Sequence, residues 1–507
     1  MSAASMDITV FRDLVSGLLG FDFDDSKIPQ LEAALRQRIA EAGFDSAAAY
    51  LSSLHARPGR DEIGALAELL TVGETFFFRN AAQFQALTEV VLPDRERARN
   101  GAGDIRILSA GCASGEEAFT LAIVAREAAG RGMTRPARVL AVDINPAALR
   151  RASQARYSEW SFRECPAGVR ERYFHPSGRD YLLDKTIHDA VRFEQANLIE
   201  DDARIWSPGV YDVVFCRNVL MYLKTATAQD VVARISRSLV PGGYLFLGHA
   251  ETLRGISQDF HLRHTHGTFY YQRRSGEATA GDSVPRRDEI RAASAEDTAS
   301  TLVENAETWM EAIRAASERI AGLAGGTAGA GPPETAATAP SSMAAVLDLM
   351  GHEKFGEALQ ALGSGAPTGG EDQDARLLQA AIQVNAGNAR EAERLCAAVL
   401  AADDLNAGAR YVMALCRETA GDPGGAEEHD RAAAYLDPSF AMPRIHLGFL
   451  RRKSGDLAAA RVEFERALAL LPGEDASRIL VLGGGFGREA LMRLCRAEIR
   501  LCEGRKA

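Results

Sequence analysis

Apolar residues recur at helical spacing through the first part of the chain. Val10, Leu14, Leu18 and Leu19 form one stripe, and Leu31, Leu35 and Ile39 form another. Asp61 to Leu70 continues the pattern, so residues 1–80 read as a small helical domain. From Asp104 to about Arg274 the period changes. Short apolar runs predict strands at Ile105–Leu108, Val139–Val142, Val191–Gln195, Val213–Cys216, Tyr244–Leu247 and Thr268–Tyr271. Helical patterns lie between them at 116–129, 145–155 and 226–239. This alternation predicts a doubly wound α/β sheet over 81–274. Its last two strands have no long helix between them, which predicts an antiparallel hairpin. An insertion at about 157–190 precedes the third strand. It holds the turn Ser177-Gly178-Arg179-Asp180 and the short apolar run Tyr181-Leu182-Leu183, and reads as a small β insertion suited to a partner, or as a long crossover loop.

The second half has a different texture. Residues 275–340 are rich in Ala, Ser, Thr, Gly, Glu and Pro, which is linker composition. Within them Leu302, Ala306, Trp309, Ile313, Ala316, Ile320 and Leu323 alternate at spacings of four and three. Three heptads suit a single helix, 302–323, docked on a neighbour; a dimerising helix is the alternative. From 341 to 507 the chain repeats. Gly387, Gly421 and Gly455 stand 34 residues apart, as do Ala392, Ala426 and Ala460, and so do Pro438 and Pro472. Gly between two helices, Ala early in the second and Pro after it, on a 34-residue period, resembles the tetratricopeptide repeat (TPR). The expectation is an all-α TPR solenoid closed by a capping helix from Gly487 to Cys502.

Composition narrows the classes of function. The net charge of −11 disfavours general binding to nucleic-acid phosphates. The seven cysteines are scattered without a Cys-x-x-Cys, so neither zinc nor a disulfide framework is expected. That usage suits a reducing, cytoplasmic location. No apolar stretch approaches the ~18 residues of a membrane span, and the N-terminus lacks a secretion pattern.

The chemistry gathers around Asp104 to Thr120. A strand ending near Leu108 enters the small-residue turn Ala110–Gly115, which opens a helix at Glu116. Such a turn is where an α/β sheet holds a nucleotide-like ligand. Gly111 and Gly115 permit close backbone approach, but the spacing is not that of a phosphate loop. Glu116 and Glu117 at the helix start would repel phosphate and suit a cation. A phosphate-free adenosine carrying positive charge fits, and S-adenosylmethionine (SAM) is such a ligand. An ordinary strand–turn–helix with an acid-favoured first turn stays open. Asp143 follows the second strand, where an acid accepts both ribose hydroxyls. Asn197-Leu198 follows the third and Arg217-Asn218 the fourth, so these positions converge on one crevice. The run Thr75-Phe76-Phe77-Phe78-Arg79 cannot place all its aromatics on one helix face, so some bridge two elements or line a pocket.

Four motifs carry a family resemblance. They are Glu-Thr-Phe-Phe-Phe-Arg at 74–79, Ser-Ala-Gly-Cys-Ala-Ser-Gly-Glu-Glu at 109–117, Phe-Cys-Arg-Asn-Val-Leu-Met-Tyr at 215–222 and Pro-Gly-Gly-Tyr-Leu-Phe-Leu-Gly-His-Ala-Glu at 241–251. Residues 8–274 thereby resemble the chemotaxis receptor methyltransferases of the CheR family. The resemblance implies a helical N-terminal domain and a SAM-binding α/β domain with a β insertion. It implies that Thr75 and Arg79 reach over SAM, and that Glu117 and Arg79 hold its amino-acid end. Asp143 would bind the ribose. Asn197, Leu198 and Asn218, with Arg217 beside it, would frame the adenine and the pocket floor, and Tyr222 would lie near the methyl group. The implied reaction moves the SAM methyl to a glutamate side chain of a methyl-accepting chemotaxis receptor, leaving S-adenosylhomocysteine. A methyltransferase with another target, or a SAM-sensing scaffold, is the alternative.

Three departures from the family pattern stand out, and the last two bear on partners. Gly73 stands where many relatives have Asn. The helical domain carries seven Lys and Arg against twelve Asp and Glu, with Arg36 and Arg38 as its candidate docking bases. The interval between Phe174 and Phe193 is 18 residues with one glycine, Gly178, whereas relatives that bind a receptor's C-terminal peptide carry a longer glycine-rich turn. The expectation is that this chain does not use such a peptide. The repeats would then supply targeting or control through a response regulator or another signalling protein.

Overall fold

The structure is a computed structural model that describes residues 3–56, 58–99, 103–130, 137–275, 346, 349–350, 354–364, 373–484 and 486–503. The chain divides into two compact units, Met1–Ala278 and Thr279–Ala507. The linker composition and the 302–323 helix fall outside the described residues.

The first unit opens with α1 (Ala3–Leu19), α2 (Ile28–Ala42), α3 (Ala47–His55) and α4 (Arg60–Leu70). Their apolar stripes meet in a core of Phe11, Val15, Leu31, Tyr50 and Leu66. Here the structure corrects one expectation. Arg36 is exposed beside Glu32, but Arg38 is buried. Its guanidinium donates to both oxygens of Glu62 at 2.9 and 2.5 Å, and Glu62 also accepts from Tyr50 Oη at 2.6 Å. Residues two apart on a helix do not share a face, so the two bases never form a docking pair.

The strands are β1 (Ile105–Ala110), β2 (Ala137–Asp143), β3 (Arg156–Tyr157), β4 (Phe174–Ser177), β5 (Asp180–Leu183), β6 (Val191–Gln195), β7 (Tyr211–Cys216), β8 (Leu239–Leu247), β9 (Phe260–Thr265) and β10 (Thr268–Arg273). Among them run α5 (Ala81–Ala86), α6 (Leu92–Ala98), α7 (Glu116–Ala129), α8 (Pro146–Gln154), α9 (Ala167–Tyr173), α10 (Lys185–His188) and α11 (Thr225–Ser238). The main sheet has the order β6-β2-β1-β7-β8-β10-β9. Its first five strands are parallel, and β10 joins β8 and β9 antiparallel. Phe84, Phe215, Phe246 and Tyr270 stack in sequence at 5.7, 4.4 and 5.1 Å, a column of rings over the sheet that ties α5 to it. The insertion is a three-stranded sheet, β3-β5-β4. Phe77 seals it to the main domain, packing on Tyr157, Phe162 and Phe174 at 4.8, 5.2 and 4.8 Å.

The second unit is a TPR-type solenoid. Helix pairs Gln373–Asn385 with Ala389–Ala402, Ala407–Thr419 with Pro423–Leu436, and Ala441–Lys453 with Leu457–Leu470 repeat the same device. Gly387, Gly421 and Gly455 each sit just beyond a first helix in the left-handed region, at φ 84°, 79° and 86°, where an L side chain is strained. The next residue, Asn388, Asp422 or Asp456, is the N-cap of the second helix. Asp422 accepts from Gly425 N and Asp456 from Ala459 N. Ala392, Ala426 and Ala460 are fully buried where paired helices cross. The helix Arg488–Glu503 packs on Leu457–Leu470 through Leu491, Leu494 and Cys495. Before it, the helix Ala476–Leu482 turns back toward the start of the array. Val481 packs against the cluster of Leu378 and Ile382, and a Cβ at Gly483 would lie 3.4 Å from Met442 Sδ.

Candidate active site

The carboxyl ends of β1, β2, β6 and β7 open onto one cavity of about 140 Å³, whose lining includes Gly111, Asp143, Asn197, Leu198, Asn218 and Tyr222. This is the crevice where strand order reverses in a parallel sheet. The opposite wall belongs to the helical domain, through Phe21, Phe23, Lys27, Gln30 and the segment Leu70–Gly73. Backbone pairing closes that wall. Asp22 N donates to Tyr222 O at 2.8 Å, and Lys224 N to Gly20 O at 3.2 Å.

Local chemistry shapes each position. Gly111 has φ 79°, and a Cβ there would meet Val219 Cγ2 at 2.4 Å, so only glycine lets the two loops close together. Asp143 accepts from Ala113 N at 2.8 Å and from Asn145 N at 2.9 Å, which fixes its carboxylate over the cavity. Burial pushes its pKa up, against those backbone donors. Asn197 donates to Leu18 O at 2.8 Å and is thereby locked to the helical domain. Asn218 sits at φ 57°, and this left-handed turn sends it and Arg217 to different places.

The other sequence-derived residues do not line the cavity. Glu117 accepts from Ser109 Oγ at 2.8 Å and from Arg217 Nη1 at 3.2 Å. Arg217 Nη2 donates to Arg79 O at 2.6 Å. Glu117, Arg217 and Arg79 thus form one cluster at the carboxyl end of β7, with Thr75 half-buried four residues before Arg79. Arg217 joins this cluster rather than the adenine side implied by its neighbour. Burial raises the pKa of Glu117 and lowers that of Arg217, each opposed by the charge of the other. The side chain of Arg79 donates to Glu74 O at 3.1 Å and lies 5.6 Å from the Phe76 ring. Glu116 is buried and accepts from Ser114 and Ser161 hydroxyls, a structural role.

Two groups escaped the sequence reading. Glu251 is buried and accepts from four backbone N–H groups: Gly248 and Asn218 at 2.7 Å, Val219 at 2.9 Å and Met221 at 3.2 Å. It holds the loop that presents Asn218 and Tyr222. The only signal was its place at the end of the 241–251 motif. Asn145 caps α8 and donates to Thr71 Oγ1 at 2.9 Å, joining the two walls. An Asn before Pro at a helix start is the signal that could have found it.

The residues present fit SAM. The cavity offers apolar walls for a base and Asp143 for a ribose. Beside it, the Nε of Arg217 is buried without a hydrogen-bond partner, a donor suited to an amino-acid carboxylate. No His, Cys, Asp and Glu group able to hold a metal ion occurs among the described residues, and no helix among them is long and apolar enough to cross a membrane.

Comparison with known proteins agrees with this geometry. The all-alpha domain of the CheR methyltransferases matches residues 6–71, and their SAM binding domain matches residues 73–269. The chain is 34% identical over 274 residues to chemotaxis protein methyltransferase 2 of Vibrio cholerae, covering 54% of this chain and 94% of that protein. It is 30% identical over 450 residues to the probable biofilm formation methyltransferase WspC of Pseudomonas putida, covering 89% of this chain and 95% of that one. The Pseudomonas aeruginosa protein of the same name is 30% identical, with 90% and 97% covered. With two domains matched in order, a crevice between them whose residues fit SAM and a TPR-type array after them, this chain belongs to the CheR family of SAM-dependent methyltransferases.

Proposed function

We propose that this enzyme is a protein-glutamate O-methyltransferase acting on the cytoplasmic helices of methyl-accepting receptors. The observation that carries the reading is the cluster of Arg79, Arg217 and Glu117 beside the cavity, with Arg79 on its more accessible side. A glutamate side chain is ionised at pH 7, so its carboxylate attacks without a general base. SAM supplies an activated methyl on a sulfonium, and the products are a methyl ester and S-adenosylhomocysteine. The chain's residues bind and align. Asp143 takes the ribose, and Asn197, Leu198 and Asn218 frame the base. Thr75 and Gly111 shape the loops around the cofactor. Arg217 and Glu117 hold the amino-acid end. Arg79 steers the incoming carboxylate, and Glu117 offsets the cost of placing that guanidinium near a sulfonium. Tyr222 closes the cavity near the reacting methyl. Alignment of nucleophile and methyl then supplies most of the rate.

The relatives matched along nearly the whole chain are named for biofilm formation, whereas the chemotaxis methyltransferase of V. cholerae matches about half. This supports a receptor of a biofilm-type signalling system as the target, with the repeats engaging a signalling protein of that system. The test is tritiated SAM with purified receptor cytoplasmic fragments. Base-labile label on receptor glutamates is expected. Base-stable label, or label on another protein alone, would replace the reading with a methyltransferase of different target.

A further inference from the structure

Trp160 is 67% exposed, more than any other large hydrophobic side chain among the described residues, and leaving that apolar area in water is costly. It is not a loose loop tip. The turn that carries it, Glu159–Phe162, is fastened on both sides. Phe77 N donates to Ser161 O at 2.9 Å, Ser161 Oγ donates to Glu116 at 3.2 Å, and Phe162 lies flat on Phe77 at 5.2 Å. An exposed indole held this firmly is built for contact.

Arg163 completes the arrangement. Its guanidinium centre lies 3.5 Å from the Phe76 ring and 4.5 Å from the Trp160 ring, so it is held between two aromatic side chains. Its Nη1 donates to Trp160 O at 3.0 Å and its Nη2 to Glu74 at 3.2 Å. Arg79 faces the same Phe76 ring at 5.6 Å. The guanidinium beside the cofactor cluster and the one beside Trp160 therefore share one ring. The local carboxylates are already matched, Glu74 to Arg163 and Glu159 to Arg170. Other large exposed apolar residues lie at the cavity: Val72 (64%) and Tyr222 (40%) line it, and Met221 (54%) adjoins Tyr222.

We infer that Trp160 and Arg163 form the seat for the substrate helix, next to Arg79 across their shared contact with Phe76. The occupant is an amphipathic α-helix that carries the methyl-accepting glutamate and a second acidic residue about one turn away. Its target carboxylate meets Arg79 while apolar side chains pack on Trp160. The second acid meets Arg163, displacing Glu74. Charge complementarity selects this occupant, because two guanidiniums gathered at one ring match two acids on one helix face. Trp and Arg are also the residue types that dominate binding energy at interfaces. The inference rests on the receptor-helix reading above.

The test uses the full chain, a receptor cytoplasmic fragment and tritiated SAM. Trp160→Ala and Arg163→Ala are each expected to raise KM for the fragment about tenfold, with a smaller change in kcat. Trp160→Phe should recover most of the loss. Arg163→Lys should not, since an ammonium cannot stack between rings. SAM affinity by calorimetry should stay at the wild-type value in all four variants. Unchanged KM in Trp160→Ala would overturn the inference alone. A parallel loss of SAM affinity would also overturn it, by showing that the turn only supports the cofactor loop. Wild-type enzyme that labels no receptor fragment would instead sink the receptor reading, and the inference with it.

Discussion

At the scale of single residues, the site depends on carboxylates that organise backbone. Glu251 gathers four N–H groups from two loops, so its two oxygens fix where Asn218 and Tyr222 stand. Glu251→Gln turns one acceptor into a donor aimed at N–H groups. Leaving such buried groups unmatched costs about 1–3 kcal/mol. The variant should fold but bind SAM roughly tenfold more weakly, measured by calorimetry; wild-type affinity would remove Glu251 from the site's support. Asp143 has both a ligand-facing and a structural part, since Ala113 N and Asn145 N already use it. Asp143→Ala is expected to weaken SAM binding by about 1–3 kcal/mol. Unchanged affinity in a folded variant would show that its carboxylate serves the turn alone. Arg79 contrasts with both. Among the described residues its side chain makes one hydrogen bond, to a backbone carbonyl, and one ring contact. Arg79→Ala should therefore keep the melting temperature near wild type and lose most activity. A large drop in melting temperature would instead mark a packing role.

At the scale of elements, strands with dense apolar runs were legible and those without were not. β1, β2, β6, β7, β8 and β10 carry such runs. β9 is an edge strand in which Phe260 alone is buried, so its sequence holds little strand signal. The helix Ala476–Leu482 was missed because only two buried positions, Ile479 and Leu482, define its face. Buried ion networks were equally silent: Arg38 looks like any surface base until Glu62 and Tyr50 are placed around it. The separate courses of Arg217 and Asn218 follow from one left-handed residue that spacing does not reveal. The β insertion adds a physical reason for the expected independence from a receptor tail peptide. Asp184 N donates to Tyr173 O, and Leu183 N turns instead to Ala155 O. With Phe174 opposite Leu183 and Pro176 opposite Tyr181, the outward-facing positions of β4 are Phe174 and Pro176. Phe174 N is taken by Arg170 O, and proline has no N–H. A peptide strand added to this edge finds no donor, so a receptor C-terminal pentapeptide should not bind; micromolar binding centred on Arg172–Leu183 would refute this. In the repeat unit His446 is wholly buried between Asp430 (2.7 Å) and Glu418 (3.0 Å), with Lys453 also on Glu418 and Tyr411 edge-on. Burial alone would lower its pKa, but the charges and hydrogen bonds of the two carboxylates outweigh it and raise the value to about 9, from 6.5. A raised folded pKa means stabilisation that is full below about 6.5 and fades as pH climbs through about 9. His446→Gln should cost the unit about 3–5 kcal/mol near neutrality. The gap from wild type in urea unfolding should narrow at alkaline pH, and a gap independent of pH would show that His446 is neutral.

At the scale of the whole molecule, chemistry and repeats occupy separate compact units. Every residue lining the cavity lies between Leu19 and Leu223, and the backbone ladder that closes it runs from Gly20 to Lys224. All of these fall within Met1–Ala278. The V. cholerae relative is matched over 94% of its own length by only 54% of this chain, so a protein of little more than the first unit is a full-length member of the family. The repeat unit has its own core, in which Val481 seals Leu378 and Ile382. A fragment ending at Ala278 should therefore fold, bind SAM with the affinity of the full chain and methylate a receptor fragment presented alone. What it should lose is choice. Given two receptor fragments in competition, the full chain should favour one, and the 1–278 fragment should label both in proportion to their concentrations. Identical preference in the two proteins would exclude the repeats from targeting. Loss of SAM binding in a folded 1–278 fragment would mean that the second unit completes the cofactor site.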